Sequence, residues 1–410
     1  MKRYRIIIGL LLLLITSASS AQQDLNVYLQ TAAENNPGLK AKFKEYMASL
    51  EVAPQVKVLP DPQLAFAYFI SPVETRLGPQ RFKISASQMF PWFGILDAKE
   101  NVAIELAKSK YEIFLEAKSK LYNDVRSTYY NIYFIRRAID ISRENLSILN
   151  SFQKLANIKV ESGKVSAVDE YRIEMEIGDL ENQLALLIDQ EVVLDVLFNN
   201  FLNVENNQNI HTPDILWTND LAFDKEDILD SIRSGNHQLL VLSLQQQALS
   251  YREELASKQG KPDFSIGFDY TFIGPGSNNL AGTDAFVFPM VGISIPLYRN
   301  KYKAMVNEVI YLQESKELEF SEKVNILESV FENSWKDYND SNRRIQLFIS
   351  QTELAELSLK LLETEYATGN KNFEEILRME RKLLQYGLSL EKARSDKQAS
   401  ISFINYLMGE

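Results

Sequence analysis

The residues best suited to chemistry lie in the acidic run DEYRIEMEIGDLE (169–181), where carboxylates recur at close spacing. Paired carboxylates can act as general acid and base. The same pattern is also what a hydrated wall on an amphipathic helix carries, and nothing else in the chain joins it. His211 and His237 are the only histidines, and neither has a chemical partner nearby in sequence. The absence of cysteine excludes thiolate nucleophiles, thiolate metal sites, disulfides and an N-terminal lipid-bearing cysteine. The glycine-rich GPGSNN (274–279) lacks the lysine and following helix of a phosphate loop. Eight scattered methionines form no thioether cluster. No catalytic residue, cofactor or metal site is expected. Nor is nucleic acid, because the net charge of −11 leaves no basic stripe for phosphates.

The elements that would position any site are unusually long. Prolines cluster before residue 92 and between 213 and 296, leaving two proline-free tracts, 92–212 and 297–410. Both are rich in Leu, Glu, Lys, Ala and Gln, which predicts uninterrupted helices. Helices over 97–162 and 301–368 would each reach about 100 Å at about 1.5 Å per residue. Apolar residues at heptad spacing (Ile173, Leu180, Leu187 and Ile376, Leu383, Leu390) predict coiled-coil packing.

The chain reads as a tandem duplication. VESGKVSAVDEYRIEMEI around Gly163 matches YATGNKNFEEILRMERKL around Gly369, 206 residues later. LPDPQLAFAYF matches GKPDFSIGFDY with Pro62 and Pro262 200 apart, and ISASQMFPWFG matches VGISIPLYRNK with Pro91 and Pro296 205 apart. Constant order and near-constant spacing divide the chain into a first repeat (22–203), a linker (204–225) and a second repeat (226–410). Each repeat runs helix, strand, strand, long helix, turn, helix. Strands are expected at about 62–70, 81–90, 262–273 and 285–296. Phe264, Ile266, Phe268, Tyr270 and Phe272 alternate with small or polar residues, the period of a strand with one apolar face.

Residues 1–21 carry Lys2, Arg3 and Arg5, the apolar run Ile6–Ile15, and Ser19-Ser20-Ala21 before Gln22. That is the form of a cleavable secretory signal peptide; an anchor helix would need roughly 20 apolar residues. No later stretch is apolar enough for a membrane helix, so any membrane would be crossed by strands. Strands of this length suit a tilted span, and Phe90, Trp92, Phe93, Tyr298 and Tyr302 at their ends suit an interfacial girdle. Four strands cannot close a barrel, since roughly eight is the smallest number, so several chains must pool theirs. Strand count alone leaves dimer, trimer and tetramer open.

The signal peptide, duplicated plan, ENNPGLKAK (34–42), the FP and IP strand exits and the two glycine turns together resemble TolC-type outer-membrane efflux proteins over the whole mature chain. The resemblance implies a mainly α fold with a membrane β-barrel: a homotrimer pooling twelve strands, with a helical tunnel through the periplasm. It implies location in the outer membrane of a Gram-negative bacterium, and a periplasmic adaptor and inner-membrane pump as partners. The function implied is a passive exit duct for drugs or metal cations, or alternatively the channel of type I protein secretion. LPDPQLAF resembles the branch exporting heavy-metal cations. In the family the tunnel closes at the helix turns. Gly163 and Gly369 match the turns, Asp169, Tyr366 and Lys371 match the closing contacts, and Glu375 matches an acidic ring. Arg378 stands where a second ring acid is expected, and Val160 replaces the first repeat's tyrosine. A periplasmic adaptor has one hairpin rather than two, and an enzyme would need a nucleophile and base the chain does not display.

Overall fold

The computed structural model describes residues 24–161, 167–206, 208–217, 219–276, 282–367 and 373–410. The predicted signal peptide therefore lies outside the described residues, as do Gly163, Gly369 and Lys371. Helices α1 (24–35), α2 (Pro37–Leu50) and α3 (Val52–Lys57) precede strands β1 (Gln63–Tyr68), β2 (Glu74–Thr75) and β3 (Gly78–Phe90). Then come α4 (Ile95–Glu161), α5 (Ala167–Leu202), α6 (Lys225–Gly235) and α7 (His237–Lys258). Strands β4 (Asp263–Ile273) and β5 (Ala285–Ser294), then α8 (Arg299–Ala367) and α9 (Phe373–Met408), complete the order. The architecture is mainly helical with one small sheet. With neither proline nor an interior break, α4 and α8 run for 67 and 69 residues.

Two compact units divide the chain. One comprises residues up to Ala41 with Leu115–His237 and Val324–Glu410; the other comprises Lys42–Phe114 and Gln238–Lys323.

The second unit holds the sheet, whose order is β1-β3-β4-β5 with every pair antiparallel. The register puts Phe66 opposite Ile84, Ile84 opposite Tyr270, and Tyr270 opposite Phe286. Residues directly opposite share a face, so one apolar surface runs unbroken across all four strands. Phe82 stacks on Phe272 at 5.1 Å, and Phe268 lies 5.9 Å from Phe286. Lys83, Ser85, Ser87, Ser265, Gly267, Asp269 and Thr271 occupy the other face, where Lys83 pairs with Asp269 at 2.5 Å. Only glycine fits at 267, because a Cβ there would stand 2.5 Å from the Ala86 carbonyl oxygen. β3 begins at Gly78, earlier than the spacing indicated. Glu74–Thr75 folds back on it, and the Gly274 N–H donates to the Pro79 carbonyl at 2.8 Å, so part of the polar loop is paired.

The first unit is helical. Tyr129, Ile132, Tyr133, Phe198 and Phe331 are wholly buried there. The segment between α5 and α6 is packed rather than free: Ile210 and Leu216 are buried, and Trp217 lies 6.3 Å from Tyr130. Arg136 holds it by donating to the Ile210 carbonyl while pairing with Glu191 (2.7 Å) and Asp195 (3.3 Å).

Candidate functional site

Within the first unit, the helix ends flanking residues 162–166 and 368–372 meet in an apolar cluster. Leu149 and Ala156 of α4, Ile173 and Leu180 of α5, Tyr366 of α8, and Phe373, Ile376 and Leu377 of α9 are all buried in it. Three of these (Ile173, Leu180, Ile376) are heptad-spaced positions of α5 and α9, whose apolar stripes both enter the cluster. Phe373 anchors the cluster, with its ring 5.3 Å from Tyr366 and 5.8 Å from Phe152.

Charged groups rim this cluster. Asp169 enters α5 in its first turn, where a carboxylate complements the helix N-terminus. Its described ion pair is with Arg172 at 3.5 Å, and Arg172 reaches across to Glu374 of α9 at 3.1 Å. Arg172 thus ties α5 to α9, a role sequence reasoning missed. The signal available was its position one helical turn after Asp169. Tyr366 is only 7 % exposed, and its hydroxyl has no hydrogen-bond partner among the described residues. Lys159 of α4 lies over the Tyr366 ring, 3.3 Å from its centre, a cation–π contact joining α4 to α8 that sequence reasoning also missed. Burial, with the Asp169 charge nearby, raises the Tyr366 hydroxyl above the ordinary phenol value. Glu375 is bonded within its own helix to Arg378. The structure therefore brings Asp169 and Tyr366 into one cluster with Glu375 at its edge. Lys371 lies outside the described residues.

The arrangement is an apolar knot ringed by ion pairs of about 0.2–1 kcal/mol each. Among the described residues, no helix is long and apolar enough to cross a membrane, and no group of His, Asp or Glu is arranged to hold a metal ion.

The expected lipid-facing residues of β4 lie on the apolar face of the sheet. Ile266 and Phe272 are exposed, while Phe264, Phe268 and Tyr270 are half-buried between neighbouring rings. The outer strands are barer still. Phe66, Tyr68, Phe286 and Val291 each leave more than half their surface uncovered in this chain. Among the described residues β1 and β5 each pair on one side only, which leaves both sheet edges open.

No protein-family model matches the sequence, and no curated protein does. Solved structures are similar to it. VceC, an outer membrane protein from Vibrio cholerae, aligns with a TM-score of 0.78 at 15 % identity over 95 % of this chain and 97 % of its own. The CmeC outer membrane channel of Campylobacter jejuni aligns at 0.76 and 11 % identity, over 94 % and 85 %. The open-state MtrE outer membrane channel of Neisseria gonorrhoeae aligns at 0.76 and 12 % identity, over 94 % and 88 %. This chain has their fold, that of TolC-type channels.

Proposed function

We propose that the chain is a subunit of an outer-membrane exit duct in a Gram-negative bacterium, passive in itself, with an inner-membrane pump and periplasmic adaptor as partners. The observation that carries this reading is the sheet. A continuous, exposed apolar face backed by glycine, serine and a Lys83–Asp269 pair is the pattern of a barrel wall, lipid outside and water inside. A soluble protein would cover such a face. The two open edges also need partners, because unpaired strand edges in a bilayer leave backbone groups unsatisfied. In this reading copies of the chain supply them: β5 of one pairs with β1 of the next, and three chains, the number the resemblance implies, close a barrel of twelve strands. The cargo is a drug or a metal cation, handed over by the pump rather than selected in the duct.

The assembly is directly measurable. The mature protein purified in detergent should scatter light as a trimer. A stable species with the mass of one chain would remove the barrel and the duct together.

Asp169, Tyr366, Lys371 and Glu375 hold the duct closed at rest, aided by Arg172 and Lys159, and the adaptor opens it by competing for these helices. Asp169→Ala combined with Lys371→Ala and Tyr366→Phe should raise the resting single-channel conductance in a planar bilayer well above wild type. Unchanged conductance through an intact oligomer would move the closure to Glu375.

A further inference from the structure

Beside the apolar knot, α4, α5 and α9 line an open cavity of about 340 Å³, apart from Asp169, Tyr366 and Glu375. Leu149, Leu180, Leu384 and Leu388 give it aliphatic walls, and the amides of Asn145, Gln183 and Gln385 add hydrogen-bonding capacity. Glu380 lines it. As a whole the residue is 3 % exposed, its carboxyl faces the cavity, and no described residue donates a hydrogen bond to it. Elsewhere in this unit, buried charges are matched: Lys397 meets Asp220 at 2.5 Å, and Glu391 meets Arg394 at 2.7 Å. At Glu380 a leucine would be far cheaper than an unmatched carboxylate.

The geometry points to a binding site for a small aliphatic ammonium compound, with Glu380 as the buried anion that receives its charge. The other charges around Glu380 leave room for one. From α9, Arg381 is engaged by Glu176 of α5 at 3.3 Å. From α5, Asp179 adds a second carboxylate to the rim, with no ion pair among the described residues. From α8, Glu363 contributes further negative charge, and α4 brings only Asn145 and Leu149 to the lining. A metal ion fits less well, since hard cations want several converging oxygens and no described group of acids is so arranged. An alkylammonium needs one or two carboxylates, a few amide acceptors and apolar contact along its carbon chain, which this lining provides.

Burial first, then the Glu363 charge, pushes the Glu380 carboxyl up to about 7. A cation binds the charged form, so binding expels the proton, and affinity strengthens as pH rises through that value.

The test is calorimetry on the purified mature protein with cadaverine, using the diol of the same chain length as neutral control. Cadaverine should bind saturably in the millimolar range or tighter, more strongly at about pH 8 than at about pH 6, and the diol should not bind. Glu380→Gln should weaken binding by about tenfold or more and flatten its pH dependence. Leu388→Phe, which fills the cavity and keeps the carboxyl, should also abolish binding. Equal affinity in Glu380→Gln, undiminished binding in Leu388→Phe, or no binding by the wild type would each overturn the site. The measurement reads binding alone, so its outcome is independent of whether the chain forms a duct.

Discussion

Phe268→Lys is expected to lower the stability of the lipid-inserted oligomer by about 2–4 kcal/mol, the loss for a lysine facing the middle of a bilayer. Phe268 stands in the central part of β4, opposite Ala86 and 5.9 Å from the Phe286 ring, so the substitution strikes the middle of the apolar face. Urea unfolding from lipid vesicles reads the effect. The control is Ala65→Lys on β1, which lies opposite Ser85 on the polar face and should change stability by no more than a few tenths of a kcal/mol. Equal losses at both positions would show that neither face meets lipid. Loss at position 65 alone would invert the sheet.

Glu380→Gln is expected to stabilise the helices around it, by an amount that depends on pH. The folded protein holds this proton up to about 7, whereas an exposed glutamate loses it near 4.5. Between those values the folded state binds more protons than the unfolded one, so raising the pH lowers stability across that window and no further above it. Below the window both states are protonated, and the buried charge imposes no penalty. Hydrogen exchange of the α9 amides near position 380 should therefore show greater protection in the variant by up to about 3 kcal/mol at about pH 8. At about pH 4 the two proteins should exchange alike. Protection that is unchanged at the higher pH would mean that Glu380 already finds a partner when charged. An effect independent of pH would assign the gain to packing alone.

The fold class was legible because its signals are local. Two proline-free tracts announce α4 and α8, and five alternating residues from Phe264 to Phe272 announce β4; each depends on neighbours a few positions away. The beginning of β3 was not legible, since it rests on the return of Glu74–Thr75 and on a bond from Gly274, almost two hundred residues downstream. That Asp169 and Tyr366 belong to one neighbourhood was suggested only by resemblance. Charge at 169 and an aromatic at 366 carry no mark of their meeting, and Lys159 and Arg172 read as ordinary helix-surface cations.

By itself, the sequence determined that long helices and short strands alternate, that one strand face is apolar, and that no thiolate chemistry is available. Periodicity and composition are properties of adjacent residues, so no folding is needed to read them. Tertiary structure alone decided which apolar faces meet, and hence that the sheet's greasy side is continuous from Phe66 to Phe286. It also decided the environment of Glu380. Lying four residues after Ile376 and four before Leu384, this glutamate is on the packed side of α9 by helical spacing. Whether a charge on that side reaches water depends on how closely three other helices approach, and they leave it 3 % exposed beside an open cavity.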